Sequence, residues 1–278
     1  MTTFILGIVL FAAFLHASWN AIVKGGNNTI LTTVLVTGFG TLIAALALPF
    51  TIQPARESWI FIVLSVFLQV AYFALIGYIY RASEMSQTYP LMRGTAPLLV
   101  ALFGIVFIGE SLPSQSMIGI FLICGGILGM ALNCKSFAIK GMGLALLNAF
   151  IIAGYTIVDG IGVRLSAAPI AYTLWIMIFQ GIILVGWRCA ANYVDLINYA
   201  KTYWRLGIIG ALGMMLSYGL ALWAMTFVPV VMVAALRETS ILFAMIISAV
   251  FLKEALTIAK ITGICLIMAG VIAIRFAS

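Results

Sequence analysis

The sequence predicts an all-α integral membrane protein in which ten transmembrane helices form two inverted five-helix repeats. Three observations predict this class: the composition, a series of long apolar runs, and a repeat between the two halves of the chain. Of the 278 residues, 65% are hydrophobic and only 8% are charged. A typical soluble domain is about half apolar and about a quarter charged. Charges this sparse cannot cover a soluble chain of this length, so most of the surface must face lipid.

The apolar runs match the thickness of a bilayer. A hydrocarbon core about 30 Å thick requires about 20 apolar residues per helix. Ten segments of that kind are bounded by charges or turn residues, over 2–23, 29–50, 59–80, 87–108, 114–133, 141–163, 168–189, 204–226, 229–251 and 258–276. The break before the ninth segment carries no charge, but Pro229 suits the first turn of a helix.

The second half of the chain repeats the first. With a shift of 144 positions, residues 93–126 align without a gap on residues 237–270 and are identical at 12 of 34 positions. The identities include a charged residue inside a predicted span, because Arg93 meets Arg237. An apolar chain would rarely match charged residues by chance, so the alignment indicates a duplicated unit.

A weaker match joins the first span to the sixth, where Trp19 falls opposite Tyr155 at a shift of 136. The chain therefore divides into one repeat over 1–138 and a second over 139–278 within one membrane unit. Five spans are an odd number, so the two copies must cross the membrane in opposite senses. Inverted repeats of this kind belong mainly to transporters with a substrate site at the repeat interface.

Charges inside lipid spans are costly and usually functional. Arginine keeps its proton and presents a planar fork that suits a carboxylate or a phosphate. Arg93 and Arg237 are therefore predicted to bind an anionic group on a substrate, and Arg93 is favoured because no acid adjoins it. The alternative is a structural salt bridge, from Arg237 to Asp159 or Glu238 and from Arg93 to Glu84. The two roles also combine, since a salt bridge can be the gate that a substrate displaces.

Three acids are candidates for coupling or gating: Asp159 and Glu238 inside the spans, and Glu84. A carboxyl group buried in an apolar span can carry a proton across it, unless a nearby arginine holds it ionised. Protons are therefore a candidate coupling ion, and permanent ionisation beside the arginines is the alternative.

The middle of the first span combines His16, Trp19 and Asn20, and the first and last of these lie one helical turn apart. With Tyr155 they are predicted to bind substrate. A proton relay, or a histidine that is merely hydrogen-bonded in the core, are the alternatives for His16. Further aromatic residues are candidates for the cavity lining, with positions in the interface belt as the alternative: Tyr72, Tyr89, Tyr218 and Trp223.

Small residues and two acids are assigned to the scaffold. Close packing is predicted for Gly119 and Gly126 with Gly263 and Gly270, and for the motif formed by Gly125 and Gly129. Glu110 and Glu254, at the turns after the fourth and ninth spans, are predicted to hold helix termini or loops rather than cargo.

Several strings carry a family resemblance. They are residues 16–20 (His-Ala-Ser-Trp-Asn), 89–97 (Tyr-Pro-Leu-Met-Arg-Gly-Thr-Ala-Pro), 155–164 (Tyr-Thr-Ile-Val-Asp-Gly-Ile-Gly-Val-Arg) and 235–240 (Ala-Leu-Arg-Glu-Thr-Ser). With these strings the chain resembles the drug/metabolite transporter superfamily, specifically its ten-helix EamA-like branch and a bacterial permease subgroup. The resemblance covers nearly the whole chain. It implies a central cavity and movement of small polar or amphipathic metabolites, often outward, across the bacterial inner membrane.

The leading hypothesis is therefore a secondary transporter, an exporter or exchanger, for a small metabolite that bears a carboxylate or phosphate. A flippase for a lipid-linked sugar or phosphate is the alternative on the same fold. A membrane enzyme is disfavoured, because the chain has one histidine and no motif for metal or acid–base work. No cofactor or metal is expected. The expected partners are the substrate and membrane lipids but not nucleic acid, for a monomer or homodimer.

Two indications disagree on which side of the membrane the chain termini lie. With both termini cytoplasmic, the inner loops would carry three basic residues and the outer loops nine. The positive-inside rule therefore favours termini outside the cell, whereas the resemblance implies cytoplasmic termini.

Overall fold

The computed structural model describes residues 1–82, 85–132, 139–251 and 257–277, and across these residues the chain is helical without a strand. The described α-helices are α1 (Thr3–Gly25), α2 (Thr29–Ala47), α3 (Trp59–Ala82), α4 (Met85–Phe103), α5 (Ser114–Leu132), α6 (Ile139–Ser166), α7 (Pro169–Met225), α8 (Val230–Arg237), α9 (Ser240–Phe251) and α10 (Ile258–Phe276). Short 3₁₀ turns occupy Leu48–Phe50 and Arg56–Ser58, and a π-helical turn, Gly104–Ile108, continues α4. The predicted all-α class is confirmed.

Several of these helices have the length and composition of membrane spans. Among the described residues, eight helices are long and apolar enough to cross a membrane, and Ser114–Met130 is a shorter apolar helix. These eight candidate spans do not establish the ten transmembrane helices predicted from sequence. Two predicted spans, 168–189 and 204–226, lie within the single helix α7, and the predicted span 229–251 is divided between α8 and α9.

The helices begin where the sequence supplies capping groups. The Thr2 hydroxyl accepts a hydrogen bond from the Ile5 N–H at the start of α1, and the Asn28 amide oxygen does so from the Leu31 N–H at the start of α2. These side chains satisfy N–H groups that have no partner within the first helical turn. Helix α7 begins at Pro169, a position where the missing N–H costs nothing.

The first helix of each predicted repeat packs against the other repeat. Helix α1 packs chiefly against α7 and α9, whereas α6 packs chiefly against α3 and α4. The two repeats are therefore interleaved rather than set side by side. As a result, the centre of the bundle is formed by helices from both halves of the chain.

The last helices of the two repeats, α5 and α10, make close backbone contacts at glycine. A Cβ atom on Gly119 would lie 2.7 Å from the Gly270 carbonyl oxygen, and one on Gly126 would lie 2.9 Å from that of Gly263. The pairing is crossed, since 119 corresponds to 263 and 126 to 270 in the repeat, and it requires antiparallel helices. These four glycines confirm the predicted close packing.

The other predicted glycine motif is not at this interface. A Cβ atom on Gly125 or Gly129 would meet nothing within 4 Å. The prediction that these two glycines allow close packing is therefore wrong, because they lie on a face of α5 that no other described part of the chain covers.

Both chain termini lie at one end of the bundle, which we call the terminal end. The Arg275 side chain donates hydrogen bonds to the Met1 carbonyl oxygen and to the Thr3 hydroxyl, which joins the end of α10 to the start of α1. The Phe4 ring contacts the Trp223 ring edge-on, with centroids 6.4 Å apart, so the end of α7 lies there too.

Glu110 holds the terminal end together. Its carboxylate accepts hydrogen bonds from Arg164 Nη2 at 3.0 Å and from the N–H groups of Val230 at 2.8 Å and Val231 at 3.3 Å. Arg164 also donates to two carbonyl oxygens at and just beyond the end of α7. This arrangement confirms that Glu110 holds a helix terminus, that of α8. Its repeat counterpart Glu254 lies outside the described residues.

The glycine interface can be tested on a single helix. We expect Gly126→Ala to destabilise the protein by about 1–3 kcal/mol, because the new methyl group would press on the backbone of α10. The measurement is the free energy of unfolding in detergent. Gly125→Ala is the control, since it adds the same methyl group one residue away into open space. Equal effects of the two substitutions would contradict the crossed packing.

Candidate functional site

A buried ion pair joins the two repeats at the centre of the bundle. Arg93 on α4 and Glu238, directly after α8, are 6% and 5% exposed, and Arg93 Nε lies 2.8 Å from Glu238 Oε2. The N–H bond is not aligned with that oxygen, so the contact is a charge pair rather than a directed hydrogen bond. Arg93 was favoured as a substrate ligand because no acid adjoins it in sequence, but in the structure it has an acid partner, Glu238. Glu84, the partner considered from sequence, lies outside the described residues.

The ion pair lies at an interruption of the ninth predicted span. Helix α8 ends at Arg237 and α9 begins at Ser240. Across the junction, Glu238 N–H bonds to the Ala235 carbonyl and Thr239 N–H to the Leu236 carbonyl, both at 3.1 Å and both to the third residue back. This tighter winding changes the direction of consecutive side chains. Interrupted helices at a repeat interface are typical of transporter binding sites.

The two repeat-related arginines have different surroundings. The repeat counterpart of Glu238 is Gly94, so Arg237 has no mirror-image acid. Instead, the Arg237 guanidinium carbon lies 5.6 Å from the centre of the Tyr218 ring, in cation–π geometry. No ion pair of Arg237 is found among the described residues. The duplication therefore supplies two arginines, and only one of them pairs with an acid in the described part of the chain.

A small cavity of about 20 Å³ lies beside the ion pair. It is lined by both repeats: Arg93, Ala96, Pro97 and Val100 from α4, Ile152, Tyr155 and Thr156 from α6, and Ala234, Arg237 and Glu238 from α8 and its end. This volume has room for about one water molecule. As it stands, the cavity is too small for a solute larger than water.

Among the described residues, two nitrogens of Arg93 make no directed hydrogen bond at this cavity: Nε, which forms the charge pair with Glu238, and Nη2. Arg93 Nη2 is buried and makes no hydrogen bond in the described part of the chain. An unmade hydrogen bond of a buried group costs about 1–3 kcal/mol, and more when the group is charged. The guanidinium therefore presents a free edge that an incoming carboxylate or phosphate oxygen can satisfy. Among the described residues, no cluster of three or more His, Cys, Asp or Glu could hold a metal ion.

Asp159 lies one helical turn beyond Tyr155 on α6 and belongs to a buried polar network. Tyr172 donates to Asp159 Oδ1 at 3.3 Å, and Tyr218 donates to Oδ2. The Tyr218 hydroxyl in turn accepts from Gln69 Nε2 at 2.8 Å. Because the Tyr218 ring also lies beneath Arg237, this tyrosine connects the carboxylate to the second arginine.

The structure separates the predicted site residues into two groups. Arg93, Arg237, Glu238 and Tyr155 all line the cavity, and Tyr155 also contacts the Tyr72 ring at 6.1 Å. The three predicted residues of α1 are half-buried and are not part of this lining: His16, Trp19 and Asn20.

The contacts on α1 are local to that helix. The Asn20 amide donates to the His16 carbonyl at 2.7 Å, and the His16 and Trp19 rings meet edge-on at 5.4 Å. Substrate contact by any of these residues stays a prediction.

Sequence reasoning missed most of the Asp159 network. Tyr218 was a general aromatic candidate only, and Tyr172 and Gln69 were not selected. Gln69 is a buried amide in the middle of a predicted apolar span, so its polarity was a signal. Tyr172 gave no comparable signal, because tyrosine near a helix end is typical of the membrane interface.

Comparison with known proteins gives a consistent result. The EamA-like transporter family matches residues 3–132 and, a second time, residues 139–276. No curated protein matches the sequence. Twenty-nine chains of solved structures match. One of them is titled "Crystal structure of protein". Its alignment covers 100% of this chain and 100% of that one, with a TM-score of 0.77 and 15% sequence identity, a likeness that shows the fold alone. Because the family matches cover both halves of the sequence, this chain belongs to the EamA-like transporter family, a family of membrane transporters.

Proposed function

We propose that the protein is a secondary transporter of a small polar or amphipathic metabolite that bears a carboxylate or a phosphate. It works as an exporter or exchanger in the bacterial inner membrane, by alternating access to the central cavity. The observation that carries this proposal is the unpartnered Nη2 of Arg93 at a cavity lined by both repeats. A planar guanidinium edge selects carboxylate and phosphate oxygens over neutral groups.

Ten spans in two inverted repeats follow if α7 is divided. Its 57 residues correspond to about 85 Å of helix, nearly three times the thickness of a hydrocarbon core. The backbone leaves helical geometry at Asn192 (φ −167°, ψ 92°) and at Tyr203 (φ −114°, ψ 16°). We therefore treat α7 as two spans with a connection between them, and α8 with α9 as one. The crossed glycine contacts between α5 and α10 support the inverted arrangement.

Alternating access requires that the terminal end opens and closes. We propose that the Glu110 carboxylate, which binds both Arg164 and the first turn of α8, is the contact that closes this end. Helix α8 carries Arg237 at its other end, directly beside Glu238. A substrate that draws Arg93 away from Glu238 would therefore free the segment that Glu110 holds. In this series of events, binding of the substrate at Arg93 leads to opening of the terminal end.

The two buried acids suit different roles in coupling. Glu238 pairs with Arg93, and a close positive charge favours the ionised form of a carboxyl group. Asp159 has no ion pair among the described residues and accepts hydrogen bonds from two phenols instead. A carboxylate without a fixed counter-charge can exchange its proton more readily. We therefore assign proton coupling, if the transporter uses protons, to Asp159 rather than to Glu238.

Transport by the purified protein tests the proposed cargo. We expect proteoliposomes to exchange at least one labelled metabolite from a panel of small carboxylates and phosphate esters. Arg93→Lys should reduce that exchange at least about tenfold, since an ammonium keeps the charge but loses the planar fork. The measurement is counterflow of the labelled solute into preloaded vesicles.

Arg56→Gln is the control for this experiment, because Arg56 is an exposed arginine remote from the cavity. Its exchange rate should equal that of the wild type. Unchanged exchange in Arg93→Lys would remove Arg93 from the site. Transfer of a lipid-linked phosphate between leaflets, without movement of any soluble metabolite, would instead support the flippase.

The assignment of Asp159 is tested separately. We expect Asp159→Asn to abolish transport driven by an imposed pH gradient while leaving solute exchange in place, because the amide cannot take up or release the proton. Tyr172→Phe is the control, since it removes one hydrogen bond to Asp159 but leaves the carboxylate. Gradient-driven transport in Asp159→Asn at the wild-type rate would contradict the assignment.

A further inference from the structure

The connection inside α7 forms a short helix of its own, residues 193–202, which we call the connecting helix. Non-helical backbone at Asn192 and Tyr203 bounds it on both sides. Asn192 caps its start, because the Asn192 side-chain oxygen accepts from the Asp195 N–H at 3.2 Å and its amide donates to the Asp195 carboxylate at 2.7 Å. The carboxylate also pairs with Arg188 at 3.2 Å. A reciprocal cap of this kind stabilises a helix start on the surface.

One face of the connecting helix is bound to the rest of the protein. The Tyr199 hydroxyl lies 2.7 Å from the Thr32 hydroxyl, and the Asn27 amide donates to the Tyr203 hydroxyl. Residues 27 and 32 lie at the start of α2, at the end of the bundle opposite the terminal end. The connecting helix is therefore held at the opposite end, where the predicted spans leave the membrane.

The remaining surface of the connecting helix has two chemically different faces. At about 100° per residue, one stripe of exposed side chains is apolar: Tyr193, Val194 and Ile197, at 60%, 48% and 47% exposure. The next stripe is exposed and polar: Asp195, Asn198 and Thr202. A helix with a protein face, an apolar face and a water face fits the boundary between lipid and water.

Basic and aromatic side chains mark the same boundary. Lys201 is exposed and lies within the apolar stripe, between Ile197 and Val194 around the helix, and Arg205 follows with its guanidinium 5.3 Å from the centre of the half-exposed Trp204 ring. Lys24, at the end of α1, is exposed at the same end of the bundle. Neither Lys201 nor Arg205 has an ion pair among the described residues.

At the terminal end, by contrast, two basic residues are engaged within the protein, whereas Arg56 is exposed. Arg164 is bound to Glu110 and Arg275 is bound to the start of α1. Among the described residues, exposed basic side chains without an ion pair are therefore more numerous at the opposite end (Lys24, Lys201 and Arg205) than at the terminal end (Arg56). This agrees with the nine-to-three imbalance of basic residues between the two sets of loops.

We infer that the connecting helix is a binding surface for anionic lipid headgroups. Its apolar stripe enters the interfacial layer, Trp204 lies at headgroup depth, and Lys201 and Arg205 contact the lipid phosphates. Lysine and arginine stems extend along apolar surface while their charged ends stay in water, and the position of Lys201 beside Val194 and Ile197 suits that geometry. Each basic side chain near an anionic membrane strengthens binding by about fivefold.

The test uses the full-length protein in nanodiscs of phosphatidylcholine alone or of phosphatidylcholine mixed with phosphatidylglycerol. Phosphatidylglycerol should raise the thermal unfolding midpoint of the wild type, and the rise should shrink in high salt. The double substitution Lys201→Gln and Arg205→Gln should leave the midpoint in phosphatidylcholine unchanged and remove most of the rise. Arg56→Gln, an exposed arginine at the terminal end, should keep the full rise.

Three results would overturn the inference: a double variant that gains as much from phosphatidylglycerol as the wild type, a gain that Arg56→Gln loses equally, or a gain that high salt leaves intact. A midpoint that follows protein concentration instead of lipid charge would show that a second copy of the chain covers this surface, and would also overturn it. None of these results depends on which metabolite is transported.

Discussion

The ion pair between Arg93 and Glu238 is the interaction on which the centre of this protein depends. Taking two charges out of water costs several kcal/mol for each, and only a close counter-charge offsets that cost. Each partner comes from a different repeat, so the pair joins the two halves of the chain. Their mutual attraction therefore keeps α4 against the junction of α8 and α9, around the cavity that both line.

The duplication that built this fold is symmetric in the scaffold and asymmetric in the site. Four repeat-related glycines form the crossed contacts of α5 and α10, where backbone shape alone matters. At the centre, the repeat places Glu238 in one copy and Gly94 in the other, and among the described residues Arg93 has an acid partner whereas Arg237 has none. Arg237 instead contacts the Tyr218 ring, and the Tyr218 hydroxyl donates a hydrogen bond to Asp159.

Sequence reasoning predicted the helical membrane class, the duplicated unit and three of the charges at the cavity, because these depend on composition, periodicity and repeat spacing. It could not pair the charges. The partner of Arg93 is determined by a helix interruption at Glu238, and no local pattern marks that break in an apolar run. Nor could it place the α1 residues, since spacing puts His16 and Asn20 on one face but does not say which helix covers that face. The connecting helix was not predicted for another reason. Its residues read in sequence as a loop with scattered charges, and the contacts that hold it, from Tyr203 to Asn27 and from Tyr199 to Thr32, are visible only in the structure.

A double-mutant cycle on the free energy of unfolding tests the central ion pair most directly. The single substitutions Arg93→Met and Glu238→Met each leave one charge buried without its partner, and each should cost about 3–5 kcal/mol. The double substitution removes both charges at nearly constant volume, so it should cost clearly less than the sum of the two. Strictly additive costs, with the double variant as unstable as the two singles combined, would show that the charges do not hold the two repeats together.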